Sequence, residues 1–295
     1  MVLLQAGAGA ATRARRATAR SYLMCPPDHF TVEYAINPWM DPGGAPVDRA
    51  LARRQWERLR QAYLDLGHEV RLIEPQPGLP DMVFAANGAT MIGGKVLGAR
   101  FRYPERAAEG AAYLDWFRRA GYTAVRVPDV INEGEGDLLY TGRAVIAGHG
   151  YRTDAAAAGE LEELFGLPVV SVRLVDPRFY HLDTALTVLD GGTAAYYPAA
   201  FTPEGRDALA KEFGTLIEAS ERDATALGLN AVSDGRHVVL PAEATGLANQ
   251  LSGAGFEPVP VEFSEFRKAG GGPKCCTLEL RGPARASEMR AGDRA

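Results

Sequence analysis

Cysteine is scarce in this 295-residue chain: there are three, Cys25 and the adjacent Cys275 and Cys276. An odd count, with two of the three next to each other, excludes a disulfide framework. This predicts a reducing, cytoplasmic setting with at least one thiol free for chemistry. No stretch approaches the roughly 18 to 20 uninterrupted apolar residues of a membrane span, so membrane insertion is not expected. Nor does one charge dominate. Lys and Arg number 32 against 37 for Asp and Glu, a net charge of −5, which leaves no global field for nucleic acid or anionic lipid. The first twenty residues hold no acid but carry Arg13, Arg15, Arg16 and Arg20. The mildly apolar Val2 to Ala10 precedes those charges, the reverse of a secretory signal, and residues 1–20 are expected to form a disordered tail.

Nucleotide signatures are missing as well. No Gly-x-Gly-x-x-Gly opens a helix after a strand, since Gly134-Glu135-Gly136 runs into the strand-like Leu138-Leu139-Tyr140. Gly270-Gly271-Gly272 lacks the Lys-Ser or Lys-Thr of a phosphate loop. This argues against a doubly wound parallel sheet. What the chain does have is 46% apolar and 23% charged residues, ample for a folded core, at a length that admits two ordinary domains or one large one.

One theme repeats: a polar signature, strands, an amphipathic helix and a further strand. The signatures fall at Asn37, Asn87, Glu133, His181 and Asn230, spaced 46 to 50 residues apart. Helices are predicted over Asp48 to Leu66, Glu105 to Ala120, Ala155 to Phe165, Glu204 to Phe213 and Ala244 to Ala254. Asp48 and Thr202 serve as N-caps, while Gly67, Gly121, Gly166 and Gly255 stand just past the C-termini. Five such units bury their faces best by packing around a common axis, where the polar strand ends converge.

Cys275 follows the glycine run in Pro273-Lys274-Cys275-Cys276-Thr277. The glycines permit close backbone approach, and Lys274 places positive charge beside a thiol that needs it to ionise. Taken alone, the pair reads equally well as small core residues. His181 and Asp183, two apart, point to one side of an extended segment, and a histidine suits both proton donation and water activation. Glu133-Gly134-Glu135-Gly136-Asp137 packs three carboxylates into five residues. The loop lacks the further oxygen ligands and twelfth-position Glu of a calcium loop, and the cysteines and histidines are not at zinc spacings. Cation recognition therefore fits this loop better than metal binding.

Together these residues resemble the guanidine-modifying superfamily, which includes arginine deiminase, dimethylarginine dimethylaminohydrolase and the amidinotransferases. The likeness covers about Ser21 to Leu280. It implies an α/β fold, a five-bladed pseudo-symmetric α/β propeller (pentein) of ββαβ units, with residues 21–282 as a single catalytic domain and 283–295 as a C-terminal tail. It further implies Cys275 as nucleophile, His181 as general acid/base and Glu133 as the assisting carboxylate. Arg106 (in Pro104-Glu105-Arg106) and Arg152 (in Gly150-Tyr151-Arg152-Thr153) would hold the substrate carboxylate, and Asn37, Asn87, Asp183 and Glu135 would complete the substrate site. No cofactor or metal is implied.

Three departures from the family pattern matter. Asn87 replaces the deiminases' Asp. The acidic loop is one residue longer, so Glu133 and Glu135 compete for one role. His181-x-Asp183 follows the arginine deiminase pattern, an acid the dimethylarginine enzymes lack. With Cys25-Pro26-Pro27-Asp28-His29-Phe30 and Ile36-Asn37-Pro38-Trp39-Met40, the resemblance is nearest to the arginine dihydrolase branch, which converts arginine to ornithine, carbon dioxide and two ammonia. A dimethylargininase, a one-step deiminase and a non-catalytic binding protein of the same fold are the alternatives. The expected partner is a small guanidino substrate, with no nucleic acid and no membrane, and self-association is left open.

Overall fold

The computed structural model describes residues 15–282. After an extended lead, β1 (Ser21–Met24) passes through a long loop to α1 (Arg49–Asp65) and β2 (Glu69–Leu72). Then come β3 (Ala89–Ile92), β4 (Lys95–Gly98), α2 (Ala107–Arg119) and β5 (Ala124–Arg126), followed by β6 (Leu138–Tyr140), β7 (Val145–His149), α3 (Ala157–Phe165) and β8 (Val169–Arg173). The chain continues with β9 (Leu186–Val188), β10 (Thr193–Tyr196), α4 (Pro203–Glu212), β11 (Thr215–Glu218) and the short α5 (Glu221–Thr225). It finishes with β12 (Val232–Ser233), β13 (His237–Pro241), α6 (Thr245–Gly253), β14 (Glu257–Val261), the short α7 (Ser264–Arg267) and β15 (Leu278–Glu279).

Local chemistry sets these boundaries. The Asp48 carboxylate accepts from the Leu51 N–H at 2.9 Å and starts α1, one of the orphan donors every helix start must satisfy. Ala52, Trp56, Leu59 and Tyr63 are buried along one face, at the spacing that brings side chains into line on a helix. Gly67 ends the helix at φ +82°, a left-handed conformation that favours glycine. Thr202 caps α4 through the Gly205 N–H at 3.2 Å. The expected start of α2 at Glu105 is instead a tight 3₁₀ turn, Pro104–Arg106, that leads into the helix.

The strands form five three-stranded sheets among the described residues. In each, the first strand is antiparallel to the second and the third is parallel to it; β3-β4-β5 shows the pattern. The helix between second and third strands is the crossover a parallel pair requires.

One sheet is assembled from both ends of the chain. β15 pairs antiparallel with β1, Leu278 opposite Leu23, and β1 pairs parallel with β2. This corrects one sequence expectation. Asn37 does not sit at a strand end; it lies in the loop between β1 and α1, and the turn leading into this sheet's first strand carries Cys275. The segment 15–20, expected as tail, is docked against the β12–β14 unit. The Thr18 N–H donates to the Asp234 carbonyl at 2.9 Å, and the Arg15 guanidinium lies 3.4 Å from the centre of the Phe256 ring. The rest of the expected tails, residues 1–14 and 283–295, lies outside the described residues. No helix among the described residues is long and apolar enough to cross a membrane.

Candidate active site

Four of the leading turns are 3₁₀ or irregular bends carrying Asn87, Glu133 to Gly136, His181 to Thr184 and Asn230. They contact the fifth, at Cys275, and one another in succession. The Ala86 N–H donates to the Cys275 carbonyl at 2.9 Å. A Cβ at Gly136 would run into Asn87 Nδ2 and stand 3.1 Å from His181 Nδ1. Asn230 Nδ2 reaches the Asp183 carbonyl at 3.2 Å and Cys275 Sγ at 3.0 Å, and Asn230 Oδ1 accepts from the Cys275 N–H at 3.0 Å. A Cβ at Gly272 would stand 2.8 Å from Asn230 Oδ1, so the glycine run lets the thiol-bearing backbone meet the amide.

Cys275 is 1% exposed, and its Sγ donates to Asp183 Oδ2 at 3.3 Å. Burial pushes the thiol well up, and the Asp183 charge adds to it. The expected help from Lys274 is absent. Its Nζ is spent on Glu135 Oε2 at 2.7 Å and the Thr277 carbonyl at 2.9 Å. Cys276 is also buried, and its thiol too is pushed up, chiefly by burial and then by Cys275 beside it.

The two candidate carboxylates of the acidic loop separate cleanly. Glu133 Oε2 takes His181 Nε2 at 2.8 Å and Arg152 Nη1 at 2.8 Å. Burial alone would raise its carboxyl, but the Arg152 guanidinium and the histidine hydrogen bond outweigh this and hold it well below the usual range. An ionised carboxylate only accepts, so His181 donates from Nε2. Its Nδ1, buried and without a hydrogen-bond partner among the described residues, is left facing Gly136 and Asn87. Glu135 points elsewhere. It binds Lys274, Arg281 and the Glu279 N–H, and so locks the segment around Cys275 without touching His181. Asp137, to which the sequence reading gave no role, ties three segments together: its carboxylate accepts from the Leu182 N–H at 3.0 Å and the Thr153 hydroxyl at 2.8 Å. The Thr153 hydroxyl in turn accepts from the Glu133 N–H at 3.1 Å.

Asp183 is fully buried; its Oδ1 has no partner among the described residues, and burial raises its carboxyl to about 7 although Lys274 pulls the other way. A carboxyl raised on folding holds its proton more tightly folded than unfolded. Its ionisation therefore removes stability as pH climbs from the ordinary value near 4 to about 7. Asp183→Asn is expected to gain on the native protein by roughly 3 kcal/mol between pH 4 and pH 8, read by urea unfolding at both pH values. A difference that does not vary with pH would show an ordinary carboxylate.

At the other end, Arg106 and Arg152 are both buried. Arg106 forms a two-point bond with Glu109, at 3.0 and 2.7 Å, and donates from Nη1 to Asn87 Oδ1 at 2.8 Å. Arg152 lies between the Tyr103 and Tyr180 rings, 4.9 and 4.7 Å from their centres, a placement that favours a cation. Its Nη2 donates to the Ile36 carbonyl at 3.0 Å. Asp81, which the sequence reading passed over, is buried beside Arg106; Oδ2 accepts from the Tyr34 hydroxyl at 2.9 Å and Oδ1 has no partner among the described residues. Asn37 is not among the reacting groups. It closes the covering loop through the Ala269 carbonyl at 3.0 Å and the Trp39 N–H at 2.9 Å. Asn230 was visible in sequence as a repeat signature and nothing more; its position in the unit, equivalent to Asn87 and His181, was the signal that it too faces the centre.

A buried thiol and a histidine on an ionised carboxylate are parts suited to hydrolysis through a cysteine. The pattern of the N,N dimethylarginine dimethylhydrolase family, eukaryotic, matches residues 27–282. The chain belongs to that family. It is a hydrolase of guanidino C–N bonds, in a family that works through a covalent cysteine intermediate, and its place in the guanidine-modifying superfamily is as the sequence suggested. The N(G),N(G)-dimethylarginine dimethylaminohydrolase of Mycobacterium tuberculosis is 55% identical over 266 residues, covering 90% of this chain and 87% of that one. The bifunctional arginine dihydrolase/ornithine cyclodeaminase AgrE of Nostoc is 37% identical over 269 residues; the match covers 90% of this chain and 38% of that longer protein. Among solved structures, the substrate-bound N-terminal domain of ArgZ, an arginine dihydrolase of the cyanobacterial ornithine-ammonia cycle, superposes with a TM-score of 0.85 at 36% identity, covering 90% of this chain and 99% of that one. The mixed α/β fold of small sheets is thus the fold of these relatives.

Proposed function

We propose that the protein is an arginine dihydrolase, releasing ornithine, carbon dioxide and two ammonia from arginine, and that its five sheets stand as the blades of one pentein ring with residues 21–282 as the catalytic unit. The closed succession of contacts among the leading turns supports the ring. Cys275 gives its proton to Asp183, and the sulfur attacks the guanidinium carbon. The incoming cation and the Asn230 Nδ2 N–H stabilise the developing thiolate. His181 protonates the departing ammonia from Nδ1, with Glu133 behind Nε2 stabilising its positive charge. Water, deprotonated by His181, then adds to the thiouronium carbon and releases citrulline and the thiol. In the second round the thiol attacks the ureido carbon, ammonia leaves, and water converts the thiocarbamate to a carbamate that loses carbon dioxide. No step of this reading calls on a metal or cofactor, and the buried thiols suit a cytoplasmic enzyme.

The observation that carries the reading is Asp183. Buried beside the nucleophile with a free Oδ1, it requires N–H groups that an unsubstituted guanidine supplies and two methyl groups would take away. The 55% identity to a dimethylarginine enzyme favours that substrate as the second reading. Purified protein incubated separately with arginine, citrulline and dimethylarginine decides between them. Ornithine from arginine is the expected product. Dimethylamine from dimethylarginine, with arginine untouched, would replace this reading by the second.

A further inference from the structure

The arginines near the start of the chain have no part in the chemistry above. Three of them, Arg15, Arg16 and Arg20, line one cavity of about 370 Å³ with the turn between β9 and β10, at Asp190, and the turn between β12 and β13, at Asp234. That volume is within the roughly 300 to 1,000 Å³ of small-molecule sites. β9 and β12 each leave a leading turn of the active site and run to one of these two turns. The cavity therefore lies at the ends of the strands away from His181, Asp183 and Asn230.

The arginine-bearing segment is fixed in place. The Thr18 N–H donates to the Asp234 carbonyl at 2.9 Å, and a Cβ at Gly235, where φ is +96°, would stand 3.0 Å from the Arg16 carbonyl. Glycine thus lets the turn and the segment lie together. Arg15 is braced by an ion pair with Asp190, by a bond from Nε to the Ala254 carbonyl at 3.1 Å and by the Phe256 ring.

The charges here are unequally matched. Asp190 is taken by Arg15. Asp234 is taken from several sides: Oδ1 accepts from the Arg236 and His237 N–H groups at 2.8 and 2.7 Å, and Oδ2 meets His237 Nδ1 at 2.7 Å and His68 Nε2 at 3.5 Å. The arginines keep donors to spare. Arg16 is exposed and forms no ion pair among the described residues. Arg20 gives Nη1 to Glu279 Oε1 at 2.9 Å, while its Nε is buried without a hydrogen-bond partner among the described residues. A buried donor left unpaired costs free energy. Guanidinium groups only donate, in a fork that matches carboxylate and phosphate oxygens, so the complement of this cavity is an oxyanion. The net charge of −5 gives no broad field for a polyanionic chain, and the attraction is confined to the cavity.

We propose that this cavity is a second binding site, for a small molecule carrying two or more phosphate or carboxylate groups, held by Arg16 and Arg20 beside the braced Arg15. The site is independent of which guanidino compound the protein hydrolyses. Titration calorimetry of the full chain with pyrophosphate and with citrate, at fixed ionic strength, tests it. At least one of the two is expected to bind. Arg16→Gln and Arg20→Gln are each expected to weaken that binding by about tenfold or more, the loss of one charge-assisted contact. Arg54→Gln, which removes an exposed charge on α1 outside the cavity lining, is expected to leave it within about twofold. Tighter binding of pyrophosphate would assign the site to phosphoryl groups, and tighter binding of citrate to carboxylates.

Binding that survives both cavity substitutions would place the anion elsewhere, such as where the substrate carboxylate sits, and overturn the proposal. Absence of binding by either anion overturns it equally, as does a loss in Arg54→Gln as large as in the cavity variants, which would show only a response to overall charge. Should Arg20→Gln not fold for want of the Glu279 pair, Arg16→Gln decides alone.

Discussion

Cys275→Ser is expected to cut turnover of the native substrate by a factor on the order of 10⁵, while Cys276→Ser keeps most of it. The two thiols are neighbours in sequence with opposite surroundings. Cys275 Sγ touches a carboxylate that can take its proton and an amide that can steady the thiolate; a serine hydroxyl there would be far too weak an acid for the same base. Both cysteines border the apolar cluster of Tyr22, Tyr63 and Phe266, but Cys276 Sγ has no carboxylate or amide hydrogen bond among the described residues. A hydroxyl placed in that cluster is expected to cost about 1 to 3 kcal/mol of stability and little rate. Intact-mass analysis of acid-quenched protein checks the assignment directly. The native chain should carry a substrate adduct on the peptide containing Cys275, and Cys275→Ser should carry none; an adduct on Cys276 would reverse the roles.

On the proposed dihydrolase reading, Asn87→Asp is expected to turn release of two ammonia per arginine into release of one. A carboxylate at that position pairs with Arg106 and presents its second oxygen to the centre, where it meets guanidinium donors well and repels the ureido oxygen. Removing the donor aimed there and replacing it with charge should slow citrulline hydrolysis by about 10² to 10³-fold. Arginine consumption should stay within about tenfold of native, since Asp183 and Glu133 still supply negative charge. Ammonia counted against arginine consumed gives two for the native protein and one for the variant. Two from both would show that this amide does not set the number of rounds.

Much of this was readable in the chain, and what was not has physical causes. The helices announced themselves because caps and apolar stripes are local: Asp48, Thr202, Gly67 and Gly166 act within a few residues of where they stand. Asn87, Glu133 and His181 were picked out because each opens a repeated unit, whereas Cys275 stood out only through the glycine run before it and the family resemblance. The misplacement of Asn37 as the first signature arose where locality fails, since the first sheet takes its leading strand from β15, some 250 residues downstream. The choice between Glu133 and Glu135 was unreadable for the same reason. Glu135 is claimed by Lys274 and Arg281 across the sequence, and only a folded chain shows that they leave Glu133 for the histidine. Lys274 misled by adjacency: it is next to Cys275 along the chain, yet its charge is spent on Glu135. Asp81 belongs to no repeat signature and had no signal at all.

The pairing of β15 with β1 has a consequence for biosynthesis. Contacts between distant parts of a chain form late because the intervening loop must first be closed. Here the earliest strand made waits for one of the last, and the nucleophile arrives on that same late segment. A nascent chain can therefore complete the four sheets from β3 to β14 and still hold neither a finished first sheet nor a thiol in its centre. Catalytic competence and closure of the first sheet are therefore one event, since Cys275 stands on the segment that brings β15 to β1.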